Sequence, residues 1–580
     1  MRTHGIHLFA LSALLALSAC GGGSNPDRSP DTFVFDPSHI ENAVAGGTYT
    51  ATATITGFDG QLPVRINGIQ GDAVFKLLSK EGEAVDELSV SSGDTITLQA
   101  IVNGDAQLGN AISASVTVGE GEGANAATLQ LTVVDSSPPQ FSVAFPPPVS
   151  ITPAETITLT GHWSEDSGEA VSLQLARNGQ QIDMPLHMMF PDGTWQVDLP
   201  LDEGDNLIGL TATDSSGNAT ETVALIITRT DDAAIATAEQ GLEFANPKEL
   251  VLDAANDRLL AVSAKRVQGV AFASGHRGGH RGAHDLLQIP ILRLGDAVLF
   301  EDDLWMSLYV DPQLGNLPVI ARMPLNAIGS GDVPPNQLSG DFFHQPLLGR
   351  TSGLLVDENT VLVGIRSDQD AVYRIDRSTD AVESVLSAGL AGGNTKHLQR
   401  IDTDRFIHGD ESDIELVDLG DPLNPVVTSI LRPNVTADVN NVKSYAYDSI
   451  RKRLYILGEI NTNVETQLGW VDLSDLTNTE TAPVVEIVRT NGGVGGMPGY
   501  PTVIGQLYGF ALDEKHERLF ALSGLQGTDT DREVVVINLM AVAVDEDGDS
   551  AYDTDAEGNP VRKQTGETVL LSRSGPRDLP

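Results

Sequence analysis

The chain has a single cysteine, Cys20, in 580 residues. That excludes any disulfide within the chain and leaves packing, with metal ions as the other available staple, to hold the fold together. Positive charge is also scarce. Lys and Arg total 35 against 80 Asp and Glu, a formal net charge of -45. Such a field excludes nucleic acid as a partner, because holding a phosphate backbone requires Lys and Arg to neutralise it. It favours solubility and attracts divalent cations, and it equally suits a salty medium. Beyond the first twenty residues no run is apolar enough to cross a bilayer, which takes roughly 20 residues. Long amphipathic helical patterns are missing. So are a Gly-x-Ser-x-Gly elbow and a His-Glu-x-x-His pair, which leaves nucleophilic and zincin-type catalysis without a motif.

What is present begins at the N-terminus. Met1-Arg2 precedes an apolar run from Leu8 to Ala16, and Leu17-Ser18-Ala19-Cys20 follows. The run is too short to span a membrane and has the charged start, apolar middle and small-residue end of a signal. It resembles a bacterial lipoprotein signal peptide ending in a lipobox. The resemblance implies cleavage before Cys20 and lipidation of its thiol and new amino group. More than one acyl chain is what stable anchoring needs. Gly21-Gly22-Gly23-Ser24-Asn25-Pro26 reads as a flexible tether. No Asp follows Cys20, which in that family favours export to the outer membrane. The expected location is therefore the cell envelope, lipid-anchored, with residues 1–19 as signal peptide and 20–30 as lipidated cysteine and tether.

The remaining length suggests three or four domains. Short alternating runs separated by Gly, Asp, Asn and Pro predict an all-β chain. In residues 31–135, runs such as Thr48–Ile55, Thr95–Ala100 and Ala111–Val118 predict a small β-sandwich. Pro138-Pro139 and Pro146-Pro147-Pro148 open a second part, 136–232. Its Trp195–Leu201, Glu203-Gly204-Asp205-Asn206, Leu207–Asp214 and Ser215-Ser216-Gly217-Asn218 resemble a bacterial immunoglobulin-like domain. Trp163 and Trp195 read as sheet-packing residues.

Residues 235–580 contain a repeat. Leu250-Val251-Leu252-Asp253 leads to Arg258, Tyr445-Ala446-Tyr447-Asp448 to Arg453, and Phe510-Ala511-Leu512-Asp513 to Arg518. In each, an Asp ends one apolar strand and an Arg five positions on opens the next. Looser copies start at Leu354 and Leu398, and further strands such as Val372–Asp376 and Ile414–Leu419 complete four-stranded units. Such repetition is similar to the blades of NHL-type and lactonase-type β-propellers. The expected fold class is thus all-β: two β-sandwich (Ig-like) domains, then a six- or seven-bladed β-propeller. The terminal Ser574–Leu579 echoes Asn246–Leu250, which suggests that the ring closes where the first blade begins.

The repeated Asp and Arg residues suit turn-forming, structural roles. The strongest metal candidate is Asp545, Asp547, Asp549 and Asp553, spaced on a Gly-containing turn that resembles a calcium loop of the Asp-x-Asp-Gly-Asp type. Ser550 stands where that pattern has Gly, Ala556 where it has Glu, and no helices flank it; Asp555 and Glu557 lie within reach. His276, His280 and His284 recur at intervals of four, but the intervening glycines favour a basic loop over a metal-binding helix. His344, His397 and His408 lie in the propeller, the last two near Asp402, Asp404, Asp410, Glu411 and Asp413. The lactonase-type resemblance implies a channel calcium held by Glu, Asn and Asp, which no residues here match one by one.

The expectation is a surface-anchored envelope lipoprotein whose propeller binds a protein or glycan partner. The rival is a calcium-dependent lactone or ester hydrolase with its site in the propeller channel. Carboxylates from several blades meeting at one channel point would favour the enzyme.

Overall fold

The computed structural model describes residues 30–571 except 107, 110, 167–169, 183–185, 231–242, 246–248, 257, 263–265, 272–280, 286–291, 311–317, 326–349, 367–370, 380, 388–396, 410–413, 422–424, 432–438, 461–465, 477–484, 491–506, 525–530 and 546–551. The segment expected to be a signal peptide, Cys20 and the terminal Ser574–Leu579 lie outside the described residues. The chain falls into two compact units, one built on residues up to Ser137 and one on the rest.

The first unit is a β-sandwich. One sheet runs His39–Ala43, Asn125–Val133, Ala111–Val118, Gln61–Gln70, Leu88–Ser91; the other runs Thr48–Thr54, Thr95–Val102, Ala73–Leu78, Ala84–Val85. Thr95–Val102 and Ala111–Val118 alternate strictly between buried and part-exposed positions. Period two puts one face of each strand inward. Leu98, Ile112, Val116 and Leu129 are fully buried there, each contributing about 1.5–3 kcal/mol.

The second unit opens with another sandwich. Its first sheet runs Gln140–Phe145, Thr156–Ser164, Thr194–Pro200, Leu186–Met189. Trp195 is completely buried, stacked 4.8 Å from Phe141, and its Nε1 donates to the Ser142 carbonyl. A Cβ on Gly161 would lie 2.0 Å from the Ser142 oxygen, so only glycine fits beside this tryptophan. In both sandwiches an early strand pairs in parallel with the last one, His39–Ala43 with Asn125–Val133 and Val149–Thr152 with Val223–Arg229. That pairing belongs to Ig-like topology.

Six blades form the rest: five are separate sheets of three or four strands, and the sixth is the end of a ten-stranded sheet. Their inner strands are Glu249–Asp253, Leu292–Phe300, Arg350–Val356, His397–Arg400, Val439–Asp448 and Leu507–Asp513. These neighbour one another in order, and the last lies beside the first. Among the described residues the head is therefore a closed six-bladed propeller. Closure uses both sides of the repeat. Asp531–Asn538 of blade six pairs with Glu243–Ala245 at one end and with Thr568–Leu571 at the other.

The predicted Asp–Arg repeat occupies the turn between the first and second strands of the blades. Asp253 and Arg258 are cross-strand partners 2.5 Å apart, and Asp513 and Arg518 repeat this at 2.9 Å. In blade five the roles differ. Arg451, not Arg453, pairs with Asp448 at 3.1 Å, and Arg453 lies 4.1 Å over the Trp470 ring. Arg451 also reaches Glu517 of blade six at 2.6 Å, and Arg400 of blade four reaches Asp357 of blade three at 2.7 Å. These ion pairs link neighbouring blades as well as closing turns.

The second sandwich and blade six share one sheet. Val149–Thr152 pairs on one edge with Val223–Arg229 and on the other with Thr568–Leu571. Their core is also continuous: Phe145, Leu159, Trp195 and Leu225 pack with Leu259, Phe520, Val536 and Val569. Polar groups line the seam. Gln196 imitates a backbone, donating to the Ala543 carbonyl and accepting from its N–H. Arg562 pairs with Asp192 at 2.6 Å, and Arg518 donates to the Ala144 carbonyl. Gln140–Phe145 stops pairing at Thr160, and beyond it both Glu567 oxygens lie 3.1–3.2 Å from the Thr158 nitrogen. Glu567 thus takes the place of a missing strand. Burial pushes its carboxyl up to about 8.

Candidate metal centre

The inner strands carry side chains of three blades to one point. Glu249 opens the inner strand of blade one, His397 opens that of blade four, and Asp296 lies within that of blade two. One ligand atom from each lies within 4.8 Å of the other two. Asp296 is held by its backbone setting. The pairing of Leu292–Phe300 slips between Leu294 and Asp296, leaving Gly295 as the extra residue of a bulge. A Cβ there would lie 2.3 Å from the Thr351 carbonyl and 2.7 Å from Ser307 Oγ. Only glycine lets the strand bend this closely, and the bend aims Asp296 at its neighbours.

Two backbone donors fix the Asp296 carboxylate. Ala297 N–H donates to Oδ1 and Leu354 N–H, on blade three, donates to Oδ2, both at 2.9 Å. His397 Nδ1 lies 3.4 Å from Asp296 Oδ1. Its own carbonyl accepts from Tyr445 Oη, and the Tyr445 ring stands edge-on to the imidazole. Gly409 makes room for that ring; a Cβ would meet Tyr445 Cε1 at 2.5 Å. Glu249 and Asp253 bound one inner strand, which puts them about 13 Å apart at the rise of an extended chain. The cluster therefore sits at the end of the channel opposite the Asp–Arg turns.

The residues singled out from sequence divide. His397 joins the cluster. His408 does not: it is buried on the second strand of blade four, with Nδ1 4.0 Å from Glu415 Oε2, and burial pushes its pKa down to about 4. Asp402 turns away to pair with Arg405 at 2.8 Å. His344, Asp410, Glu411, Asp413, His276 and His280 lie outside the described residues, as does the side chain of His284. Of the acidic loop, Asp547 and Asp549 are outside them too. Its two described ends meet. Asp553 N–H donates to the Val544 carbonyl, and Val561 N–H to that of Asp553, so Asp545 and Asp553 flank a closed neck. Asp555 is taken by its own turn, accepting from the N–H groups of Glu557 and Asn559, and these donors hold its carboxyl below the usual value.

Glu249 and Asp296 escaped the sequence reading. The one signal for Asp296 was Gly295 interrupting an apolar strand, the mark of a bulge.

No protein family and no curated protein matches the chain. Solved structures are similar only faintly. An auxiliary nutrient binding protein from Bacteroides thetaiotaomicron is 12% identical over 69% of this chain and 98% of its own, with a TM-score of 0.36. A quinonprotein alcohol dehydrogenase-like protein from the same organism is 10% identical over 78% and 94%, with a TM-score of 0.26. Fibronectin(III)-like modules of Clostridium thermocellum CbhA are 15% identical over 35% and 96%, with a TM-score of 0.19. Scores this low say nothing about the chemistry of this chain.

Proposed function

We propose that the chain is a lipid-anchored envelope protein, attached through Cys20, whose propeller binds a protein or glycan partner on the channel end bearing Glu249, Asp296 and His397. The observation that supports this is the inequality of the two ends of the ring. At the turn end, Asp253, Asp448 and Asp513 are committed to arginines, and part of blade six is covered by the second sandwich through Arg518 and Ala144. At the other end, acid and imidazole groups of three blades gather at one point. The convergence also favours a second reading, metal-assisted hydrolysis of a lactone or ester, because catalytic sites draw their groups from several elements. Calcium in the loop of Asp545, Asp547, Asp549 and Asp553 is part of the same proposal, as a brace near the seam rather than a site of chemistry.

The test uses the chain from residue 20 onward with Cys20→Ser. It is offered to a lactone and ester panel, with and without chelator, and to intact cells for cross-linking. Partner capture that is lost on changing Glu249 and His397, without turnover, is the expected result. Chelator-sensitive turnover would replace the binding reading with the hydrolase. Capture unaffected by those changes would move the binding surface elsewhere. For the anchor, full-length Cys20→Ser is expected to leave the membrane fraction; unchanged retention would refute lipidation.

A further inference from the structure

We propose that Glu249, Asp296 and His397 form the binding site of one divalent transition-metal ion of the zinc class, distinct from any calcium in the acidic loop. The proposal goes beyond the function proposed above and holds whether the head binds or hydrolyses.

The donor set selects the metal. One imidazole nitrogen with two carboxylates is an N,O set suited to zinc, nickel or manganese, whereas calcium takes six to eight oxygens. The spacing agrees. Ligands about 2.1 Å from a tetrahedral ion stand about 3.4 Å apart. His397 Nδ1 and Asp296 Oδ1 are 3.4 Å apart, already at that spacing and longer than a good hydrogen bond. Glu249 must move its carboxylate by little, since its nearest oxygen lies within 4.8 Å of both. Three protein ligands leave a position open, the arrangement of reactive rather than purely structural zinc.

The surroundings give a separate reason. Ser307 stands directly across the strand pair from Asp296, and hence on the same face of the sheet. It is fully buried, yet its Oγ has no hydrogen-bond partner. Thr351, on the adjacent inner strand, is 1% exposed and its Oγ1 is likewise unpartnered. Buried hydroxyls are rarely left so, and each is costly when it is. A hydrated ion held beside Asp296 brings donors that such oxygens accept. These side chains are also held in place: the Ala297 and Leu354 N–H groups orient the Asp296 carboxylate, and Tyr445 Oη tethers the His397 carbonyl.

Isothermal titration with zinc, using the chain from residue 20 with Cys20→Ser, tests this. The expected result is one tightly bound zinc, weakened at least 100-fold by His397→Ala and at least 10-fold by Glu249→Gln, with calcium failing to compete. The triple variant His276→Ala, His280→Ala, His284→Ala must keep that site. Glu249→Gln lies at a strand start and spares the core, so it stays informative where His397→Ala misfolds. Zinc binding that survives both Glu249→Gln and His397→Ala, or that is lost in the triple variant, overturns the proposal. So does the absence of any stoichiometric zinc.

Discussion

Raising the pH should loosen the seam between the second sandwich and blade six, and Glu567 should be the reason. Its carboxyl rises from an ordinary 4.5 to about 8 because burial disfavours the charge. The Thr158 N–H and hydroxyl oppose that shift, and Asp198 adds to it. Asp198 is itself pushed up, first by burial and then by Asp545. Tyr552 donates to Asp198, and burial followed by the Asp198 charge raises its phenol. The folded chain thus keeps a proton on Glu567 that the unfolded chain gives up above pH 4.5. Its stabilising contribution is fully present below that pH and lost as pH climbs through about 8. At about 1.4 kcal/mol per pH unit, the interval from pH 6 to 8 is worth at most about 3 kcal/mol. Local opening to water would bring the observed value nearer 1–2 kcal/mol. Urea unfolding followed by tryptophan fluorescence, from pH 6 to 9, measures it. Wild type should lose midpoint concentration across this range, while Glu567→Gln, neutral throughout, should stay nearly flat and be the more stable at pH 9. Parallel pH curves for the two proteins would refute the assignment.

Trp195→Ala should cost about 3–5 kcal/mol by opening a cavity in a completely buried site. Because that core runs into blade six, calorimetry should show the sandwich and the blade losing stability together; an unshifted propeller transition would contradict the shared core. Asp513→Asn should cost about 3–5 kcal/mol, since it removes the carboxylate paired at 2.9 Å with Arg518, which is only 4% exposed. Burial pushes the Asp513 carboxyl up, but His516 and Arg518 hold it below its usual 3.8, so wild type should lose this contribution only as pH falls below that value. An Asn variant as stable as wild type at pH 7 would show the ion pair to be idle.

The blades were legible because their signal is local. An Asp, a turn and an Arg five residues on announce themselves in any one copy, whatever the rest of the ring does. Even there, sequence distance misassigned one pair: Arg453 is the cross-strand neighbour of Asp448, yet Trp470 offers it a ring face and Arg451 takes the charge. The channel cluster was not legible, because Glu249, Asp296 and His397 are brought together only by the order and closure of the ring. Chain proximity pointed from His397 to Asp402 instead, and the short strand between them carries Asp402 to the opposite end of the blade. The shared sheet was hidden for another reason. Val149–Thr152 and Thr568–Leu571 are apolar strands that read alike whatever they pair with, and nothing in a buried strand names its partner.

The most direct measurement is X-ray diffraction from crystals of this chain grown with zinc, collected on both sides of the zinc absorption edge. The account predicts one strong anomalous peak in the propeller channel, about 2.0–2.2 Å from Glu249, Asp296 and His397. A channel without a peak, with zinc held elsewhere or nowhere, would contradict it.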